Sequence, residues 1–481
     1  MTTVNLGKIQ PKYRGVYSSG TAYTALDYIT YGGSTYWCIA ACTGIAPGNE
    51  SYWMLIGAGI LNLVEDSTPQ LGGDLDLNGF KILSAYGVSW DELADTYVRT
   101  GGLVGQPVSQ TLNNAMLPIH ASMRRCILND AGEVQYYLGA TDSTKREDGV
   151  IASDLTGGDG QVMVQFAKFF YRYSYTGTTH TWEVSLTPAA GFSVHPAFIK
   201  NGEVVDYRYM GAYEGIGWDA SVAAYIDSTN VADTGWSDTV IDLAVDILSS
   251  VSGKCPVTDE TRAEFRAIAA NRGTGWRQVD FDLASAAILM YITEYADWNS
   301  QAMIGAGRTT LSGGSSVKDS YIGTTGLSNS DGNGTNSVSN GTTAGFLTDY
   351  MTYRGIENLF GNSWTWVDGI NLNKVSNVYV CNTDTDFADG TATGYTDLGI
   401  TIAPVGGWQK YMTQQPRGFL SSSAGGSSTT YITDYYSRPA GWCVMALGGH
   451  SIDGAYAGIA DCNMIQTSSY ASASFGSRLA Y

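Results

Sequence analysis

Arg354-Gly-Ile-Glu-Asn-Leu-Phe-Gly-Asn-Ser-Trp-Thr-Trp366 is the stretch on which the reading of this chain turns. A second group of the same residue types follows it: Trp442-Cys-Val-Met-Ala-Leu-Gly-Gly449, then Gly458, then Phe475-Gly-Ser-Arg-Leu479. Glycine allows tight turns and close backbone approach, so Gly361, Gly448, Gly449 and Gly458 mark such points. Tryptophan carries a large apolar ring system, so Trp364, Trp366 and Trp442 are expected to fill a core beneath long loops. Arg478 can tie a terminal strand to loop carbonyls or to a carboxylate. All of these are expected to determine the fold before they do anything else.

Working towards the N-terminus, two helices are expected. The first runs from Asp259 to Arg272, with Thr258 as cap and Gly273 as stop. The second runs from Gln278 to Trp298. In it Phe281, Ala284, Ile288, Tyr291, Ile292 and Tyr295 recur at helical spacing, and Leu283, Ala287 and Met290 widen the stripe until most of the surface is apolar. Residues 119–255 read as β-rich. Tyr171, Tyr173 and Tyr175 share one strand face. Thr176-Gly177-Thr178 is a turn, Trp182 and Val184 alternate on the return strand, and Asn201-Gly202 marks another hairpin. After Gly305 regular pattern fades into Gly, Ser, Thr, Asn, Tyr and Trp, and long irregular stretches within a folded domain usually carry function.

The first 59 residues form a small β module, with Tyr28–Tyr31 and Thr35–Ile39 as a hairpin around Gly32-Gly33-Ser34. Its text resembles the small carbohydrate-binding modules of chitinases, although its aromatics also suffice as the core of a tiny domain. Residues 60–118 read as a linker. Thr68-Pro-Gln-Leu-Gly-Gly-Asp-Leu-Asp-Leu-Asn-Gly-Phe-Lys-Ile82 resembles a short motif of phage tail fibres, and Gly101-Gly102 and Gly105-Gln-Pro107 add glycine and proline.

Two helices followed by a loop-rich segment with spaced Trp and Gly is the order of the C-type lectin-like fold. The 354–366 stretch resembles the G-N-x-W-x-W element of the formylglycine-generating enzyme and its relatives. The Gly448-Gly449, Gly458 and Gly476–Leu479 pattern resembles the closing region of that group, which also includes the variable proteins of diversity-generating retroelements such as the phage major tropism determinant. The resemblance covers 119–481 and is strongest from 255. It implies an α+β chain: a small N-terminal β module, a linker, and a C-type lectin-like receptor-binding domain with two helices and loop-rich antiparallel strands, split into a β-rich part (119–255) and a lectin-like core (256–481).

In function it implies a phage tail receptor-binding protein that attaches the virion to a bacterial surface protein or glycan, works with other tail proteins, is a homotrimer, and is made in the host cytoplasm. The contact residues would lie between the Gly448-Gly449 pair and Arg478: His450, Asp453, Tyr456, Asp461, Asn463, Ser469 and Tyr470. Tyr411, Tyr431, Tyr435 and Tyr436 would join them from adjoining segments. A glycan-degrading tail enzyme and a structural tail spacer are the alternatives.

Composition agrees with a contact surface. The chain has 59 Gly, 32 Tyr and 12 Trp in 481 residues, and only 15% charged residues. Tyr and Trp give rigid contact area at low entropic cost. A net charge of −19 without basic clusters argues against nucleic acid, and the longest apolar run is too short to insert in a membrane. The seven Cys are sparse and odd in number, so buried free thiols are expected in place of a disulfide framework or a metal site.

No enzyme motif is complete. Gly449-His-Ser451-Ile-Asp453 begins like a hydrolase elbow but has Asp453 where the second Gly belongs. Ser315-Ser-Val-Lys318 matches S-x-x-K in a Ser-rich loop, where such a match is cheap. No cofactor is expected. Cys38 and Cys42 have zinc-ligand spacing but no second pair follows, and calcium could suit Asp384-Thr-Asp386-Phe-Ala-Asp389-Gly390 and Asn329–Asn336, both of which read more simply as turns.

Overall fold

The helix Phe281–Tyr295, α2, is buried over its whole length, as its nearly continuous apolar surface requires. The Asp280 side chain caps it by accepting from the Leu283 amide at 3.0 Å, and Ala296 ends it in the left-handed region at φ +53°. The preceding helix α1, Arg262–Ala270, is amphipathic, with Phe265, Ile268 and Ala269 buried. Its cap is Thr261, not Thr258: Thr261 and Glu264 form a reciprocal capping box, and Asn271 ends the helix. Both helices are therefore shorter than their apolar periodicity suggested.

The computed structural model describes residues 12–32, 34–58, 75–77, 80–82, 85–226, 241–310, 322–340, 348–373, 375–438 and 441–481. The chain divides into two compact units, 1–73 and 74–481. In the smaller, the strands Lys12–Val16, Asp27–Tyr31, Ser34–Cys38 and Trp53–Ala58 form one sheet over Tyr23, Ile29, Cys38, Cys42 and Trp53. The buried Trp53 donates its indole N–H to the Ile45 carbonyl at 2.8 Å. The Thr68–Ile82 motif lies largely outside the described residues, which include only its strands Leu75–Leu77 and Phe80–Ile82.

The larger unit is α+β and strand-rich. Its boundary differs from the expected linker. Tyr86–Asp91 and Thr96–Gly101 form a hairpin, and Tyr86–Asp91 also pairs with Thr179–Ser185 in a five-stranded sheet. Tyr86, Val88 and Trp90 are fully buried. Their alternation is a strand signal that the glycines at 101, 102 and 105 masked. Gly101 has φ +58° and ends the strand, and Arg99 reaches inward to the Thr293 and Glu294 carbonyls at 2.7 Å.

A six-stranded sheet places Leu479–Ala480 between Tyr207–Gly211 and Arg277–Gln278. A nine-stranded sheet is built around Trp364–Leu372, which pairs with Asn377–Val380, Cys443–Leu447 and Phe475–Gly476. The stretch 354–366 thus leads straight into a central strand, and its polar residues are used inside. Buried Glu214 accepts from Asn358, Asn362 and Ser363. Gly361 has φ +77°, and a Cβ there would lie 2.7 Å from the Arg308 carbonyl oxygen. Trp366 stacks on Phe475 at 4.7 Å and donates to the Glu260 carbonyl at 3.1 Å.

Arg478 does what its position suggested. Its guanidinium, fully inside, donates to the carbonyls of Gly211 at 2.9 Å, Glu357 at 2.7 Å and Asn358 at 3.0 Å. Trp442 does not: it is 39% exposed and lies on Tyr379 with ring centroids 5.5 Å apart. It precedes the buried strand Cys443–Leu447 and so remains outside the core.

Candidate binding surface

Strand Gly407–Met412 pairs antiparallel with Tyr435–Ser437, Trp408 opposite Tyr435 and Gly407 opposite Tyr436. Successive side chains on a strand point to opposite faces, so Tyr435 and Tyr436 cannot share one. Tyr436 points inward, is 0% exposed, and donates its hydroxyl to the Ala403 carbonyl. Tyr435 remains half-buried beside Trp408, with ring centroids 6.0 Å apart. The short turn Gly454–Tyr456 brings Tyr456 onto both, 4.9 Å from Trp408 and 4.7 Å from Tyr435. Tyr456 is 47% exposed, so three rings form one cluster open to solvent.

The same strand carries a second group. Tyr411 meets Tyr431 edge-on at 6.1 Å, and the Lys410 ammonium lies 4.8 Å and 4.9 Å from their ring centres. Trp408 and Lys410, two residues apart, face the same side of the strand. Tyr431 is in the left-handed region, its amide held by the Asp95 carboxylate at 2.6 Å.

The loop that presents Tyr456 is fixed from below. The Gln301 side-chain amide donates to the carbonyls of Gly454 at 2.8 Å and Ala457 at 2.6 Å. Gly454 donates to the Thr309 carbonyl at 2.7 Å, and Ala460 to the Asp434 carboxyl at 2.8 Å. His450 and Asp453 serve the same purpose: the His450 amide and Nδ1 both contact Asp453 Oδ2, at 2.7 and 2.6 Å. Gly449 has φ +77°, and a Cβ on it would lie 2.7 Å from that of Ala457. Two carboxyls are sealed in beneath. Burial pushes Asp434 up to about 7, and burial together with the charges of Asp453 and Asp434 raises Asp461 well above the usual carboxylate range.

The expected contact residues therefore separate. Tyr456, Tyr435, Tyr411 and Tyr431 lie in the two aromatic groups on or beside strand Gly407–Met412. Asp461 and Asn463 belong to the interior: Asp461 is 1% exposed, and Cys462–Asn463 is a strand between Cys443–Leu447 and Tyr435–Ser437. Polar residue types suggested a loop tip, but Asn463 pairs within a sheet and Asp461 is buried at its edge. Ser469 is exposed. Tyr470 lies elsewhere, edge-on to Phe475 at 5.3 Å, and Phe475 pairs with the strand of Trp364, which two intervening strands separate from that of Tyr435 in the sheet order. Trp408 and Lys410 were not anticipated. Trp408-Gln-Lys-Tyr-Met412 does not alternate apolar with polar residues, so no local pattern marked it as a strand within a segment that otherwise reads as loop.

The acidic stretches considered for calcium are otherwise engaged. Asp389 is shared by Arg262 and Arg266, Asp384 pairs with Arg277 at 2.6 Å, and Asp331 accepts from Tyr350 at 2.7 Å and Asn336 at 2.9 Å. Among the described residues no group of three His, Cys, Asp or Glu is placed to hold a metal ion. All seven cysteines are buried free thiols. Ser451 of the elbow-like motif is 0% exposed, which removes it from any substrate, and Ser315–Lys318 lies outside the described residues. Among the described residues no helix is long and apolar enough to cross a membrane.

No protein-family model matches this chain, and no curated protein matches it significantly. The fold and surface define a strand-rich α+β protein that displays a rigid, partly exposed aromatic patch.

Proposed function

We propose that this chain is a receptor-binding protein of a phage tail, with a C-type lectin-like larger unit that grips a bacterial surface molecule through Trp408, Tyr435 and Tyr456. The supporting observation is the cluster itself. Three large rings stand together at the surface, and the loop that carries one of them is held by a donor from Gln301 and by acceptors on Asp434 and Thr309. Preorganised aromatic anchors lose little entropy on binding and dominate contact energies. The Lys410, Tyr411 and Tyr431 group extends the surface with a polar rim.

In this reading the N-terminal unit joins the protein to other tail components, and the assembly is a homotrimer, so that several weak contacts add to firm attachment. The test is attachment of the purified chain to a panel of candidate host cells. Trp408→Ala and Tyr456→Ala should each weaken attachment at least tenfold while leaving the melting temperature within a degree or two, because both side chains are partly exposed. Full attachment by both variants would remove the patch from the reading. Release of reducing ends from purified host polysaccharide would favour a glycan-cleaving tail enzyme instead.

A further inference from the structure

A second concave site lies away from this patch. It is a cleft of about 500 Å³, and none of its lining residues belongs to the Trp408 or Lys410 groups. That volume falls within the roughly 300–1,000 Å³ common for small-molecule sites. One wall is the small sheet of Ile216–Asp219, Ala224–Tyr225 and Ile247–Ser249. There Trp218 and Tyr225 are cross-strand partners, with rings 4.8 Å apart and steeply inclined. Both are partly exposed, and both line the cleft. The glycine-rich run Thr156–Gln161 also lines the cleft, and Gly157 lets the Tyr225 hydroxyl approach so closely that a Cβ there would lie 2.0 Å from it.

Two carboxylates reach the cleft, each steadied through one oxygen. Asp130 Oδ1 receives the Arg272 guanidinium at 2.7 Å. Arg272 is itself fixed by the Leu248 carbonyl at 2.8 Å and by the Ser249 hydroxyl. Asp159 Oδ2 receives the Tyr136 hydroxyl at 2.7 Å and lies 3.6 Å from the Arg146 guanidinium. Among the described residues nothing donates to the other oxygen of either carboxylate. The cleft thus combines an aromatic wall with two oriented hydrogen-bond acceptors, each already paired with one arginine, Asp130 with Arg272 and Asp159 with Arg146.

We infer that this cleft is a binding site for a neutral saccharide of one or two pyranose rings. The C–H face of a pyranose is apolar and packs on an indole, while its hydroxyls donate to fixed carboxylates. An acidic sugar would meet Asp130 and Asp159 while the cations beside them, Arg272 and Arg146, are already paired with them, and so would gain no free counter-charge. Neutral hydroxyls need none. The inference does not depend on the function of the Trp408 patch.

The experiment is isothermal titration of the full chain with cellobiose, maltose, lactose and N,N′-diacetylchitobiose, with digalacturonate as the acidic probe. At least one neutral disaccharide should bind in the millimolar range or tighter. Trp218→Ala should weaken that binding at least tenfold, Asp130→Asn should weaken it several-fold, and Leu93→Ala, an exposed residue outside both sites, should leave it unchanged. Circular dichroism melting of each variant establishes that it is folded. Absence of heat from all four neutral sugars at 50 mM, equal binding by Trp218→Ala, or tighter binding of digalacturonate than of any neutral sugar would overturn the inference. Because attachment to cells is read separately through Trp408 and Tyr456, failure of one site leaves the other readable.

Discussion

Arg354 holds Glu294 through two parallel hydrogen bonds, Nε to Oε2 at 2.6 Å and Nη2 to Oε1 at 2.7 Å, with both side chains almost wholly buried. The pair stands at the wall of a cleft of about 560 Å³ and joins the last turn of α2 to the stretch that opens at residue 354. Tyr353 and Thr111 also donate to Glu294, at 2.9 and 2.7 Å. Burial alone would favour the neutral acid, but the Arg354 hydrogen bonds and charge outweigh it and hold the carboxyl below its ordinary range.

Removing one partner should therefore strand a buried charge. Arg354→Met is expected to cost about 3–5 kcal/mol in urea unfolding, and Glu294→Met a similar amount. The double variant should cost clearly less than the two together, because no unpaired charge remains. Additive losses would show that the two residues are not coupled.

Acid should destabilise the larger unit through its buried histidines. Burial, reinforced by Arg354, lowers His120 to about 4, and burial with Arg417 lowers His195 to about 3. A depressed folded-state pKa gives stability that is complete above the unfolded value of about 6.5 and is lost as pH falls towards the folded value. The His120 contribution lost by pH 4 is on the order of 3 kcal/mol, at about 1.4 kcal/mol per pH unit. Urea unfolding at pH 7, 5.5 and 4 measures it. His195→Asn preserves an acceptor for the Ala197 amide and should flatten part of the slope. An unchanged slope would exclude His195 as a source.

Asp434 should act in the opposite direction. Its raised folded-state pKa of about 7 means that stability present below about pH 4 is lost as pH rises towards 7. Asp434→Asn is expected to raise the melting temperature at pH 8 by several degrees and to change it little at pH 4. The reverse pattern would mean that the carboxylate is stabilised in the fold. Gly458 shares this site, since a Cβ on it would lie 1.9 Å from Asp434 Oδ1. Gly458→Ala should cost about 2–3 kcal/mol, more than Gly454→Ala, where no atom lies within 4 Å and only the positive φ is strained.

Arg478→Lys should not be conservative. A lysine keeps the charge but cannot span three carbonyls on two segments with the fixed fork of a guanidinium. A loss of about 2–4 kcal/mol in urea unfolding is expected from buried acceptors left unpaired. A variant within 0.5 kcal/mol of the parent would show that the three carbonyls find other donors.

Local pattern was legible where neighbours in sequence are neighbours in space. The hairpin of Phe170–Thr176 with Thr179–Ser185 turns at Gly177 as its alternation requires, and α2 is as apolar as it is buried. What could not be read is pairing across long separations. Nothing local marks Met210 and Ala480 as partners, or assigns Cys462–Asn463 to a sheet interior. The same limit divided the expected surface: Tyr435 and Tyr436 are equivalent as residue types, and only register against Trp408 decides which one faces out. Arg262 and Arg266 illustrate the converse, since charges expected at a helix surface are drawn inward by Asp368 and Asp389. The Thr261 cap was visible as Thr-x-x-Glu and differs from the expected start by three positions.

The seating of Leu479–Ala480 between two strands that lie far earlier in the chain bears on how this protein can diversify. Arg478 meets Gly211 across 267 residues, so the long excursion containing strand Gly407–Met412 and the Tyr456 turn is fastened at both ends by contacts the patch side chains do not make. Exchanging a ring at 408 or 456 leaves that fastening untouched. Substitutions at 408 and 456 can therefore accumulate at little cost to folding, provided the glycines and Arg478 stay as they are.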